Sequence, residues 1–89
     1  MEKVIFSLFD VRAELFHDPV TVVKRGVIIR DLASEVNRNV KDGETDRPLA
    51  SYPGEFELWQ LAIFDSDTGV VMPAKEKVCV LSDLVASKE

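Results

Sequence analysis

The chain has 89 residues and a formal net charge of −5 at pH 7, and its hydrophobic residues, 46% of the total, are grouped into periodic runs. This length predicts a single domain, residues 1–89, and the grouping argues against disorder. The acidic balance repels nucleic acid and anionic lipid at long range, so a DNA-binding surface would have to be a local basic patch. No signal peptide or run of about 20 apolar residues is recognisable, which predicts a cytosolic protein without a membrane partner.

The first segments of the chain have the composition of β-strands. Residues 4–9 are apolar on both faces, which predicts a central strand covered on two sides. A second short strand is expected at 13–16, and residues 20–23 are β-branched enough to favour an extended stretch. Pro19 separates the two, because the residue before a proline avoids the helical region.

A change of period predicts one amphipathic helix over about residues 24–39. Apolar residues recur there every four positions and form a single stripe, which would pack on one face of a sheet. A polar stretch with two glycines and two prolines, 41–54, follows as one long loop, and loops of this length are usually functional or mobile. The stripe consists of Ile28, Leu32, Val36 and Val40, with Ile29 and Ala33 beside it.

The C-terminal part predicts three strands. Residues 55–64 form the longest one, and segment 65–69 is a strong hairpin signal because its glycine can adopt a positive φ. Residues 70–72 form the returning strand of this hairpin, Pro73 ends that strand, and residues 77–81 form the last strand. The order β-β-α-β-β-β predicts an α+β fold, a small antiparallel sheet with one amphipathic helix packed on one face.

No catalytic constellation emerges from the sequence. His17 is the only histidine and precedes Asp18 and Pro19, which is typical of a surface turn, and neither a nucleophile elbow nor a glycine-rich phosphate loop is present. Cys79 is the only cysteine and lies in an apolar run, so neither a disulfide nor a thiolate metal site is expected. Segment 65–69 resembles the start of a calcium loop, but its strand-like flanks favour a plain hairpin. We therefore expect a non-enzymatic protein without metal or cofactor.

The cations are clustered although the chain is acidic. Six of the eleven lysines and arginines lie between positions 24 and 47 and could contact phosphates, although interspersed acids also fit a solvated helix face with local ion pairs. Tyr52 and Trp59 are the aromatics best suited to stack on bases, while Trp59 also fits a core or dimer contact. The candidate nucleic-acid-binding residues are Lys24, Arg25, Arg30, Arg38, Lys41, Arg47, Tyr52 and Trp59.

Six short segments, taken in order and spacing, resemble one family over roughly residues 4–72. They are FSLFD at 6–10, FHDPV at 16–20, GVIIRDL at 26–32, VN at 36–37, YPGEFELWQL at 52–61 and FDSDTG at 64–69. The last two segments together are the most specific part of the resemblance, and the others are weak alone. Together the six segments are similar to the small nonstructural protein of the microviruses, of the gokushovirus type, a family that is labelled DNA-binding.

The resemblance implies a non-capsid protein of a single-stranded DNA phage, made in the cytoplasm of the bacterial host. Such a protein is thought to help switch viral DNA from replication to packaging. The resemblance brings neither catalytic residues nor established binding residues, and Arg30, inside a matched segment, is the best single candidate. Gly54 and Ala62 depart from the more usual acidic residue and glycine of the family.

Two functional hypotheses follow. The first is nonspecific binding of single-stranded DNA through the basic face, helped by Tyr52 or Trp59, in viral DNA replication or in the switch to packaging. The second is a protein-interaction module that targets a viral or host replication protein, which the acidic net charge fits better. Under both, a thin core and an apolar last strand favour a homodimer through edge pairing or sheet packing. An enzyme is the least supported class.

Overall fold

The computed structural model describes residues 1–38 and 48–86 of the chain. Its strands are β1 (Glu2–Asp10), β2 (Leu15–Phe16), β3 (Val20–Val22), β4 (Phe56–Asp65) and β5 (Val71–Val80). Its helices are α1 (Arg25–Val36), the short α2 (Pro48–Ser51) and two 3₁₀ turns, Pro53–Glu55 and Leu81–Leu84.

All strand pairs of the sheet are antiparallel. The strand order is β2-β1-β4-β5, and β3 pairs with β1 on the side that β2 also uses. The long strands β1 and β4 therefore form the centre of the sheet, and β5 forms one edge. The hairpin between β4 and β5 closes with Gly69 at φ 76°, a left-handed value that favours glycine, which confirms the predicted turn.

The opposite edge is one strand in two pieces. Phe9 pairs with Phe16 and Phe6 with Val20, so the edge contains one residue more than the facing part of β1. The extra residue makes a bulge between β2 and β3, and such bulges bend an edge and limit its pairing with other chains.

Ser7 fixes this bulge from the neighbouring strand. Its side chain is buried, and its hydroxyl donates a hydrogen bond to the backbone carbonyl of His17 at 2.5 Å. The backbone N–H of His17 donates in turn to the Leu8 carbonyl at 2.8 Å. The polar groups at the bulge are thereby paired, as buried polar groups generally are.

The core lies between α1 and one face of the sheet. The apolar stripe of the helix meets β1 and β4, and the 3₁₀ turn after β5 adds Leu81, which is fully buried together with Phe6 and Leu58. Full burial of one such side chain contributes about 1.5–3 kcal/mol, so a small cluster accounts for a large part of the stability of a domain this size. The cluster consists of Phe6, Ile28, Leu32, Val36, Phe56, Leu58 and Leu81.

The predicted fold class is confirmed, while the order of its elements differs. Three strands precede the helix and two follow it, because residues 71–80 form one continuous strand. The prediction that Pro73 ends a strand is wrong. Pro73 pairs with Ala62 beside a register shift of the edge strand β5, and edges and bulges are the positions where a strand tolerates a residue without an N–H.

The helix is shorter than the predicted 24–39, since α1 ends at Val36. Asn37 ends it: its side-chain amide donates to the carbonyls of Ala33 and Leu84, at 2.7 and 2.9 Å, and its oxygen accepts from the N–H of Ala86 at 2.6 Å. Val40 of the predicted stripe lies outside the described residues. Of the predicted loop 41–54, the described part contains α2 and the first residues of the 3₁₀ turn.

The two faces of the sheet differ. The sequence predicts that β1 is covered on both sides, whereas in the part of the chain that the structure describes α1 and the 3₁₀ turn Leu81–Leu84 pack on the sheet around one core, on one face. Within residues 1–38 and 48–86, no helix is long and apolar enough to cross a membrane. The face away from α1 is therefore available for function.

Candidate nucleic-acid interface

An aromatic group lies on the sheet face away from α1. Leu58 is fully buried in the core, so the next residue of β4, Trp59, points to the other side, because side chains alternate along a strand. Phe9 and Phe16 stand opposite each other in β1 and β2, and Phe16 contacts Trp59. We call the group formed by Phe9, Phe16, Trp59 and Lys75 the aromatic face.

The rings are in close contact and remain accessible. The ring centroids of Phe9 and Phe16 are 4.7 Å apart, and those of Phe16 and Trp59 are 6.0 Å apart in an edge-to-face arrangement at 79°. The Phe16 residue is 36% exposed, and Trp59 is partly exposed. The ammonium of Lys75 lies 5.2 Å from the Phe16 centroid and 5.3 Å from the Trp59 centroid, a cation–π geometry with both rings.

Glu57 orients the indole of Trp59. The Trp59 Nε1 donates to Oε1 of Glu57 at 3.0 Å, and Oε2 of the same carboxylate pairs with Nζ of Lys77, also at 3.0 Å. The hydrogen bond from Trp59 and then the one from Lys77 hold the pKa of the Glu57 carboxyl below its ordinary value. The carboxylate is therefore ionised at neutral pH and neutralises Lys77.

The predicted basic helix face is only partly present. Arg25 contacts Gln60 and Glu76, both at 3.1 Å, and Arg38 pairs with Glu35 at 3.5 Å, so both guanidinium charges are neutralised. Lys24 and Arg30 are exposed and have no ion-pair partner in the described part of the chain. Lys41 and Arg47, also predicted as DNA-binding, lie outside the described residues.

The predicted residues do not form one surface. Arg25 and Arg30 are on the helix, which covers one face of the sheet, whereas Trp59 is on the other face. Tyr52 is 59% exposed and lies between α2 and the 3₁₀ turn Pro53–Glu55, on the side of the molecule where α2 packs against α1. The structure thus separates the stacking candidate Trp59 from the predicted cations.

The sequence-based prediction missed three residues of the aromatic face. Phe9 and Phe16 belong to segments predicted as strands, but their pairing depends on a register that the sequence does not specify. Lys75 falls in the stretch after Pro73 that the prediction left without structure. Strand β2 has only two residues, Leu15 and Phe16, and both are exposed, so it is too short to show the alternation that would identify the face on which Phe16 lies.

The other side chains capable of catalysis or metal binding, His17, Ser7 and Cys79, make structural contacts. The ring of His17 meets the ring of Phe56 edge-on at 5.9 Å, and the Ser7 hydroxyl bonds the His17 backbone rather than its imidazole. Burial raises the pKa of the Cys79 thiol, which packs against the core. No group of three or more His, Cys, Asp or Glu in the described ranges could hold a metal ion.

The fold defines a small α+β protein with one sheet face covered by a helix and one face carrying an aromatic group. The family model of the Phage ORF5 protein matches residues 3–84, nearly the whole of this fold. The chain therefore belongs to the Phage ORF5 protein family, which makes it a phage protein. No curated protein and no solved structure matches the chain.

Proposed function

We propose that this phage protein binds single-stranded DNA without sequence preference and acts, without catalysis, in viral DNA replication or in the switch to packaging. The observation that carries the proposal is the position of Trp59, on a sheet face that no described element covers, beside Phe16 and under Lys75. Aromatic rings on such a surface stack on any base, because every base has a π-face, and cations nearby attract the phosphates.

The family supports this proposal from another direction. The chain belongs to a phage protein family. Its segments also resemble the nonstructural protein of the microviruses, and that resemblance would imply a phage with a single-stranded DNA genome. A protein of such a phage would work in the cytoplasm of the bacterial host, where unpaired viral DNA accumulates. Nonspecific binding of single strands is a function that this setting requires.

The net charge of −5 is compatible with local binding. Charges separated by more than the Debye length, about 8 Å at physiological salt, are largely screened, so distant acids contribute little at the aromatic face. Stacking between a base and a ring involves no net charge and is not weakened by the acidic balance. The interaction we propose is therefore less dependent on salt than binding that relies on phosphates alone.

The experiment that tests the proposal compares a labelled oligonucleotide of about 20 nucleotides as a single strand and as a duplex, a length that exceeds typical single-strand site sizes. Fluorescence anisotropy is titrated with the protein at low and at moderate salt. We expect the single strand to bind more tightly than the duplex at both. Equal affinity for the two forms, or no binding at low salt, contradicts the proposal.

A second candidate function is a protein-interaction module that targets a viral or host replication protein. It is favoured by the net charge and by three apolar side chains at the hairpin end, Val70, Val71 and Met72, which are 54%, 54% and 62% exposed. A pull-down from infected cells with the wild type and with Met72→Asp tests it. A partner retained by the wild type and lost with Met72→Asp would support this function.

A further inference from the structure

We infer that the aromatic face is a site for unpaired nucleobases, and that bases enter it by replacing the Lys75 ammonium. In the bound state, bases stack on Phe16 and Trp59 while Lys75 contacts a phosphate. The inference rests on the proposed function and extends it, since it names the site, the part of the nucleic acid that is bound and the residue that exchanges.

The position of Lys75 suggests the exchange. A single ammonium lies 5.2 and 5.3 Å from the centroids of two neighbouring rings, so it occupies the space above both where a base would stack. A cation–π contact at an exposed site is weaker than the stacking of a base on an aromatic ring. Lys75 also gains a contact with a phosphate when it leaves the rings, so the exchange is favourable both for the base, which stacks, and for the lysine, which keeps an ionic partner.

The form of the site selects single strands. Trp59 is set in the middle of the long strand β4, and Phe16 meets it edge-on, so the rings form part of a broad sheet surface. In a duplex each base is covered above and below by its neighbours, and its face cannot reach such a surface. An unpaired strand can turn its bases toward the rings and its phosphates toward the edge of the sheet.

The cations that serve this site are on β5, not on the helix. Lys77 is directly opposite Trp59 in the sheet register, and Lys75 is two residues before it on the same edge strand. Lys77 is held by Glu57 at 3.0 Å in the free protein, which keeps its charge beside the indole. Arg30 lies on the helix side of the sheet and has no part in this arrangement.

The first test compares an oligo-dT strand with a strand of the same length that lacks bases. Trp59 is the only tryptophan of the chain, so its fluorescence reports directly on the aromatic face. We expect oligo-dT to quench the fluorescence and to bind at least several-fold more tightly than the abasic strand, as stacking on one or two rings requires. Equal affinity for the two strands, or binding without a change in Trp59 fluorescence, overturns the inference.

The second test separates the two faces of the molecule with matched variants. Phe16→Leu keeps an apolar side chain and removes the ring, and we expect it to weaken binding of oligo-dT by about 5- to 100-fold. Arg30→Glu on the opposite side should change the affinity less than about twofold at physiological salt, since charges more than a Debye length of about 8 Å from a site are largely screened there. Circular dichroism and urea unfolding check that both variants are folded.

The third test addresses the exchange itself. Lys75→Met removes the ammonium and keeps the length of the side chain, so the slope of log affinity against log salt should fall by about 0.7, one phosphate contact on a single strand. Quenching of Trp59 at saturation should persist, because the rings remain. An unchanged salt slope would show that Lys75 does not move to a phosphate.

The outcomes separate the inference from the proposed function. If the wild type binds no single strand at all, the proposed function fails. If the wild type binds but Phe16→Leu has no effect and Arg30→Glu abolishes binding, the function stands and the inference fails, because the helix face would then be the DNA-binding surface.

Discussion

Trp59 is held in place by one carboxylate that serves two partners. Glu57 accepts the indole N–H and pairs with Lys77, and its side chain is only 18% exposed. The orientation of the Trp59 indole therefore depends on whether the Glu57 carboxylate is protonated. The carboxylate also limits how much positive charge the aromatic face presents to a phosphate.

The lowered pKa of Glu57 predicts how stability depends on pH. A carboxyl group whose pKa is lowered by folding contributes stability above its ordinary pKa, and this contribution is lost as the pH falls through the lowered value. The variant Glu57→Gln keeps an acceptor for the indole but has no charge. The wild type should therefore be more stable than Glu57→Gln at pH 7, and the difference should be smaller at about pH 3, where the carboxyl begins to take up a proton.

Urea unfolding followed by Trp59 fluorescence at the two pH values measures this difference. A gap of the same size at both would show that the charge of Glu57 contributes nothing. In single-strand binding the same variant should show a steeper salt dependence, because Lys77 is released from its partner and can contact a phosphate.

Ser7 offers a prediction on stability alone. Its buried hydroxyl is a hydrogen-bond donor to the His17 carbonyl, which would be left without this partner in Ser7→Ala. The loss of a buried hydrogen bond with one partner retained costs about 1–3 kcal/mol in the free energy of unfolding. Ser34→Ala on the exposed side of α1 is the matched control and should change it by less than about 0.5 kcal/mol.

Both variants are measured by urea denaturation with the same tryptophan signal. If Ser7→Ala is as stable as Ser34→Ala, the bulge between β2 and β3 does not depend on the hydroxyl. A loss of stability confined to Ser7→Ala would mean that a single side chain fixes the geometry of that edge.

At the level of elements, the edge strand β5 bears on the homodimer that the sequence predicts. It has ten residues, and in the described part of the chain no strand pairs with its outer side. Pro73 and the charged residues of the 75–77 stretch are typical devices that prevent pairing between edges. The homodimer expected from the sequence would have to form despite Pro73 and these charged residues, or through another surface.

Pro73→Val restores a backbone N–H and a residue that favours strands. We expect this variant to associate more strongly than the wild type, since a continuous edge pairs more readily with a second copy. Sedimentation velocity at increasing protein concentration measures the effect. Val71→Thr is the control, because it changes the same strand without adding an N–H, and equal association of the two variants would contradict the prediction.

The comparison of sequence and structure shows which elements are encoded locally. The stripe of α1 and the hairpin at 65–69 were predictable, because each depends on residues close together in the chain. The role of Pro73 was not, since a proline is tolerated only where the strand becomes an edge, which is a property of the whole sheet. The partnership of Phe16 with Trp59 likewise depends on long-range register.

For the candidate site the same reasoning explains the partial success. Trp59 was identified as a stacking candidate from residue type, and the structure leaves it partly exposed. Its neighbours on the aromatic face come from distant segments, so no local pattern could group them. The cations of the helix were grouped by their nearness in sequence, although two of those in the described part are already ion-paired.

At the scale of the whole molecule, the acidic balance should slow the approach of DNA rather than prevent its binding. Exposed acids distant from the aromatic face can be neutralised without touching the site. Asp31, on α1, and Asp83, in the 3₁₀ turn Leu81–Leu84, are exposed and are suitable for replacement by asparagine.

The double variant Asp31→Asn, Asp83→Asn should bind single strands several-fold more tightly at low salt, where the Debye length is about 30 Å at 0.01 M. At about 1 M salt, where it is about 3 Å, the affinities of the variant and the wild type should converge. Anisotropy titrations at both salt concentrations measure this. A gain that persists at high salt would mean that one of these acids lies in the binding site.

The place of Leu81 in the core has a consequence for how the protein is made. Leu81 is fully buried against Phe6 and Leu58, residues near the beginning and the middle of the chain. The nascent chain can form local hairpins early, but it cannot close its core until Leu81 has left the ribosome. Closure of the core therefore waits for the synthesis of Leu81, and the apolar segment of β1 waits for that of its partner β4.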